Sequence, residues 1–154
     1  MAKGKKKAAP SRAKVAKSRR SDAERAAEHY LYEVCGCDPK QMRRAVRTKF
    51  QSVDFWAADV AARTAQGFCY YAQVTAGQQK AVQQRRRKLE KISWNTFDHV
   101  LLLQLVSMPN PANARKKDFF FRIHRYNPVT GKWVVDDIAW PVPRDRFRKL
   151  NVED

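Results

Sequence analysis

The sequence predicts an α+β domain: a helical N-terminal half packed on a small antiparallel sheet of three or four strands, preceded by a disordered basic arm. Three observations lead there. Residues 1–20 hold nine cations (Lys3, Lys5, Lys6, Lys7, Arg12, Lys14, Lys17, Arg19 and Arg20) and no acid, a composition with too little apolar surface to offset the entropy of ordering. From residue 21 to residue 92, apolar residues recur mainly at helical spacings. Beyond residue 99 they run continuously or are aromatic and β-branched, which is the strand signature.

Ser21-Asp-Ala-Glu24 reads as a capping box opening the first helix, with Ala23, Ala26, Ala27, Tyr30, Leu31 and Val34 on one apolar face. Gly36 ends it. Asp38-Pro39 then offers an N-cap and a first-turn proline for a second helix, with Met42, Val46, Phe50 and Val53 inward and Arg43, Arg44, Arg47 and Lys49 mostly elsewhere. Residues 54–65 continue the helical spacing through Phe55, Ala58 and Ala62. Between Gly67 and Gly77, residues 68–76 fit helix or strand equally. Residues 78–91 predict a polar helix anchored by Val82, Leu89 and Ile92.

Residues 100–106, 119–126 and 132–140 read as strands. Asn127-Pro-Val-Thr-Gly131 supplies the turn that makes the last two an antiparallel hairpin. Residues 108–117, with two prolines and two asparagines, read as a loop of ten residues. Pro141 and Pro143 close the sheet. The domain organisation is a flexible arm over 1–20, one globular unit over 21–143 and a basic tail over 144–154.

Charge decides the functional class. The chain carries a net +17 on 154 residues, and beyond the arm 23 basic residues still face 15 acidic ones. Such self-repulsion calls for an anionic partner, and polyphosphate is the commonest. Beyond the arm, the clustered cations are Arg85, Arg86, Arg87 and Lys88 on the polar helix, Arg115, Lys116 and Lys117 in the loop, and Arg122 and Arg125 on the hairpin. Arg144, Arg146, Arg148 and Lys149 follow in the tail. Phe120, Arg122, His124 and Tyr126 alternate onto one strand face, offering both cations and aromatic surface to a folded RNA.

Other chemistries are thin. Cys35-Gly-Cys37 resembles half of a metal site, with His29 or Cys69 as its nearest completion, but a second matching pair is missing, so small buried cysteines near a helix end are the expectation. No phosphate-binding glycine loop, dinucleotide fingerprint or zinc-protease motif occurs. Asp136 and Asp137 are adjacent on a strand and so point to opposite faces. Three cysteines without a secretory signal suit a reducing compartment. The longest stretches free of charge, 64–79 and 99–114, are too short and too interrupted to span a bilayer.

Two local resemblances complete the reading. His29-Tyr-Leu-Tyr-Glu-Val-Cys-Gly-Cys-Asp-Pro39 resembles the opening strand and turn of S-adenosylmethionine decarboxylase. It covers eleven residues, and without that family's self-cleaving Glu-Ser-His segment its pyruvoyl chemistry does not carry over. Phe120-Phe-Arg-Ile-His-Arg-Tyr-Asn-Pro128 is similar to the first strand and turn of the iron–sulfur subunit of succinate dehydrogenase, which implies a similar hairpin. That family's cluster-binding cysteines have no counterpart, since no cysteine lies beyond Cys69.

The expectation is therefore a non-catalytic, structural RNA-binding protein, a ribosomal or other ribonucleoprotein component, without cofactor or small-molecule substrate. Its partners would be ribosomal RNA and neighbouring proteins of a large assembly in the cytoplasm or mitochondrial matrix, and it would not be secreted. The alternative is a non-catalytic assembly subunit of a mitochondrial complex or cytoskeletal polymer that binds an acidic protein through exposed Trp133 and Trp140.

Overall fold

The computed structural model describes residues 12–47, 52–53 and 57–143. Among them are two helices and nine strands, in the order α1 (Arg12–Glu33), β1 (Cys37–Arg44), β2 (Val46–Arg47), β3 (Ser52–Val53), β4 (Val60–Thr64), β5 (Cys69–Thr75), α2 (Gln79–Glu90), β6 (His99–Asn110), β7 (Asn113–Asn127), β8 (Lys132–Val135) and β9 (Trp140–Pro141). The predicted helical half on a small antiparallel sheet is overturned. The molecule is mainly β, built on a seven-stranded mixed sheet of order β1-β4-β5-β6-β7-β8. The strand β9 shares the outer edge of β7 with β8, and β2 and β3 form a separate two-stranded pair. Every neighbouring pair is antiparallel except β5 and β6, which run parallel and are joined through α2.

Where the sequence predicts helices over 38–53 and 54–65, the described residues form β1 to β4 instead, and Lys49, Phe50 and Phe55 lie outside the described residues. Pro39 suits the start of β1 because that strand lies at the sheet edge, where a missing N–H is tolerated. On β4, Val60, Ala62 and Thr64 are buried and Arg63 is exposed, so the governing period is two. The ambiguous stretch 68–76 is strand β5, half-buried at its start and fully buried over its last four residues. Residues 108–117 are not a loop: β6 and β7 run on as a ribbon and turn at Pro111-Ala112, where the Asn110 side chain accepts the N–H groups of Ala112 (2.8 Å) and Asn113 (3.3 Å).

The helix α1 spans Arg12–Glu33 among the described residues, so Ser21-Asp-Ala-Glu24 lies inside it rather than at its start. Residues 12–20 contain neither glycine nor proline and give the helix no reason to stop. Ala23, Ala26, Ala27, Tyr30 and Leu31 are buried as their spacing implies, and Val34, past the helix end, is exposed. Gly36, at φ 72°, takes the left-handed conformation that reverses the chain into β1. Residues 29–33 are thus the end of a helix, not the strand that the decarboxylase resemblance implies. The polar helix α2 and the Asn127–Gly131 turn stand where the sequence places them.

The sheet has two covered faces. Along β6, Leu101 and Leu103 point to α1, where they join Met42, Val60, Ala72, Val74, Phe121 and Ile123 in the main core. Val100 and Leu102 point the other way, onto Val82 and Leu89 of α2, with Tyr126, Trp94 and Trp133 at the margin. A strand buried on both faces reads as a continuous apolar run, which is why residues 100–103 are so legible.

Phe121 is fully buried and stacks on Trp140 at 6.2 Å. Phe121→Ala is expected to cost about 3–5 kcal/mol in urea unfolding, whereas Ile138→Ala, at an 83% exposed position, should change stability by less than about 0.5 kcal/mol. Equal costs at the two positions would contradict this core.

Candidate nucleic-acid interface

The two faces treat their charges differently. On the α1 side, Arg125 forks onto Asp136, Nε to Oδ1 at 2.8 Å and Nη2 to Oδ2 at 3.0 Å, and also donates to the Tyr30 hydroxyl at 3.1 Å. That carboxylate holds the Arg125 guanidinium even more firmly charged than usual. Arg44 pairs with Glu28 across the gap between β1 and α1, and His29 lies 3.8 Å from Glu33. Tyr30, squeezed into the core, has its phenol pushed up to about 12 by burial.

On the α2 side the strand registers align Arg43 with Ala61, Ala61 with Tyr71, Tyr71 with Val100 and Val100 with Tyr126. The same face carries Arg63 two residues further along β4 and Arg122 four residues back along β7. Exposed Arg87 and Lys88 stand on α2, which crosses between them. Glu90 accepts from Trp133 Nε1 at 2.8 Å, and Asp98 is engaged by the Asn95 N–H at 2.8 Å. Among the described residues, no carboxylate ion pair is formed by Arg43, Arg63, Arg87, Lys88 or Arg122.

The cations singled out in the sequence therefore divide. Arg87, Lys88 and Arg122 are exposed on the α2 side, and Arg85 is half-buried. Arg115, Lys116 and Lys117 are exposed on the β6–β7 ribbon rather than in a loop. Arg125 is consumed by Asp136 on the opposite side. Arg86 is also structural. Its guanidinium lies 5.0 Å from the Trp133 ring centre and hydrogen-bonds His124 Nδ1, while burial lowers its pKa. Tyr126 is spent against Trp133 at 5.0 Å. Arg12, Lys14, Lys17, Arg19 and Arg20 fall on the first turns of α1. Lys3, Lys5, Lys6 and Lys7, and the tail cations from Arg144 onward, lie outside the described residues.

Phe120, Arg122, His124 and Tyr126 do share a face, but α2 covers half of it. His124 is buried beneath Arg86. Because a guanidinium only donates, Nδ1 must accept, which puts the imidazole proton on Nε2, 3.1 Å from Gln104 Oε1. The Gln104 amide in turn donates to the Gly77 carbonyl at 3.4 Å. Burial, then the charges of Arg86 and Arg122, push the His124 pKa down to about 4. Trp133 and Trp140 are not free anchors for an acidic protein: one is held by Tyr126, Arg86 and Glu90, the other by Tyr30 and Phe121.

Asp59, buried at the head of β4, accepts from Gln73 Nε2 at 2.8 Å and the Val74 N–H at 2.9 Å through one oxygen. Asp136 is held by Arg125, so it makes no pair with Asp137. Cys35, Cys37 and Cys69 are free thiols, and burial pushes Cys35 up to about 11 and Cys37 up to about 12, away from thiolate reactivity. Among the described residues no group of three His, Cys, Asp or Glu side chains is placed to hold a metal, and no helix is long and apolar enough to cross a membrane.

Arg63 and Tyr71 are residues of this face that the sequence reading did not single out. The alternation of Val60, Ala62 and Thr64 with Ala61 and Arg63 is the signal that places Arg63 there. No protein-family model, curated protein or solved structure matches this chain.

Two measurements check this geometry. Arg86→Ala should lose about 1–3 kcal/mol of stability, while Arg87→Ala, one residue on but exposed, should lose almost none. The His124 pKa is lower folded than unfolded, so its contribution is complete above the unfolded value near 6.5 and is lost as pH falls toward 4. Over that window it should remove about 2–3 kcal/mol. The stability gap between the protein and its His124→Gln variant should therefore narrow from pH 7 to pH 4, and a gap independent of pH would contradict the assignment.

Proposed function

We propose that the protein is a structural, non-catalytic RNA-binding component of a ribonucleoprotein, with the α2 side of the sheet as its docking surface and the basic arm as a second, sequence-indifferent contact. The observation that carries this reading is the sidedness of charge. Arg44 and Arg125 are matched to carboxylates on the α1 side, whereas Arg63, Arg87, Lys88 and Arg122 face solvent on the α2 side with no such partner among the described residues.

Arg43 and Arg122 stand on strands four positions apart in the sheet, about 19 Å at the usual strand spacing. Cations dispersed over that span match a folded phosphate backbone better than one compact anion. The helix α2 lies flat, with Val82 and Leu89 sunk in the sheet, so it is placed to support phosphates rather than to enter a DNA groove. The ribbon bearing Arg115, Lys116 and Lys117 extends the basic surface beyond the covered core. Binding would release condensed counterions, and each neutralised phosphate adds to the salt dependence.

The test is fluorescence anisotropy of a structured RNA between 50 and 200 mM salt. If six to ten phosphates are neutralised, affinity should fall about 10³–10⁵-fold over that range. The triple variant Arg87→Gln, Lys88→Gln, Arg122→Gln should lower the log–log salt slope by about 2–3 without altering the melting temperature. Replacing the nine arm cations with Gln should flatten it further. An unchanged slope in both variants would refute the reading.

A further inference from the structure

A small hollow of about 200 Å³ opens on the α2 side of β1, β4 and β5, lined by Gln41, Arg43, Ala61, Arg63, Cys69 and Tyr71. Its origin is a size step in one row across the sheet: Ala61 sits directly between Arg43 on β1 and Tyr71 on β5. A methyl group flanked by two long side chains leaves a depression floored by sheet. Arg63 is the diagonal neighbour of Arg43 on the same face, with their backbones about 7–8 Å apart.

The walls are held in place. Tyr71 leans on Trp94 at 4.9 Å between ring centres, and Trp94 is itself tied by its Nε1 donating to the Leu89 carbonyl at 2.8 Å. Arg43 Nη1 donates to the carbonyls of Met42 (2.8 Å) and Lys40 (3.2 Å), which ties its guanidinium to β1. Arg63 is exposed, its Nη2 passing over the Gly67 turn. The hollow thus sets two arginine side chains beside one fixed aromatic ring over a mostly apolar floor, with room for a single flat heterocycle.

We propose that this hollow captures one unpaired nucleotide of the bound RNA, the base lying against Tyr71 over Ala61 and its phosphate between Arg43 and Arg63. Specific recognition of RNA falls chiefly on unstacked bases that can be splayed onto aromatic side chains. A positively charged groove with an aromatic platform is the usual single-strand solution. This inference rests on the RNA-binding reading above and adds a preference: loops and bulges over continuous duplex.

The experiment compares two RNAs of equal length and charge, a stem-loop with an eight-nucleotide loop and a fully paired duplex, titrated into the full-length protein at fixed salt. Two variants are measured beside it, Tyr71→Leu, which keeps an apolar wall but removes the ring, and Arg63→Gln, an exposed change that leaves the core untouched. The stem-loop should bind more tightly than the duplex, and Tyr71→Leu should weaken the stem-loop by roughly ten-fold while leaving the duplex unchanged. Arg63→Gln should weaken the stem-loop more than the duplex and so carries the test if Tyr71→Leu proves unstable by circular dichroism. Tight binding of both RNAs with neither variant altering the ratio would overturn the nucleotide site alone. Failure to bind either RNA would overturn the RNA-binding reading with it.

Discussion

The parallel pairing of β5 with β6 is the constraint from which the rest of the architecture descends. Two strands joined by a tight turn can only be antiparallel, so a parallel pair obliges the chain to cross back over one face of the sheet. Here residues 76–98 make that return, and α2 is the part of it that packs on the sheet. With α1 on the opposite face, β6 becomes a central strand buried on both sides, and Val100–Leu103 can be apolar without alternation. The hairpins β4–β5 and β6–β7 then extend the sheet outward on either side of the crossover.

The crossover also divides the electrostatics. The α1 face is broad and apolar, and the arginines that reach its margin are tethered to carboxylates, which limits the cost of bringing charge close to a core. The α2 face is narrower. A twelve-residue helix covers only part of it, leaving Arg43 and Arg63 on one flank and Arg122 on the other. Along the covered part, Arg86 lies over Trp133 and points into His124, so one arginine of the Arg85–Lys88 run secures the helix while Arg87 and Lys88 remain outside. A run of four cations in sequence is thus two kinds of residue in space.

The sequence was legible where a single period dominates. The polar helix α2, the apolar run of β6 and the Asn127–Gly131 turn all announce themselves by one strong local signal. It misled where helix formers build strands. Asp38-Pro39 has the chemistry of a helix start, and Val60-Ala-Ala-Arg-Thr64 is rich in alanine, yet the former opens an edge strand and the latter is an inner one. Tertiary pairing overrode weak local preference in both. The prolines of 108–117 spoke for a loop, but Pro109 lies beyond the last β5 pairing at Gln104, where β6 is an edge and a proline costs little. For the candidate interface, the charge excess was readable and its distribution was not. Arg125 and Tyr126 looked like binding residues because their partners, Asp136 and Trp133, are brought to them only by the hairpin.

The claim that the molecule is two-sided, with one face neutralised internally and the other open to polyphosphate, is tested most directly by arginine-selective chemical footprinting with and without a bound structured RNA. Mass spectrometry would report modification at each arginine of the full-length protein. The account requires RNA to protect Arg63, Arg87 and Arg122 while leaving Arg44 and Arg125 unchanged. Protection of Arg44 and Arg125 equal to that of Arg63, Arg87 and Arg122 would contradict it.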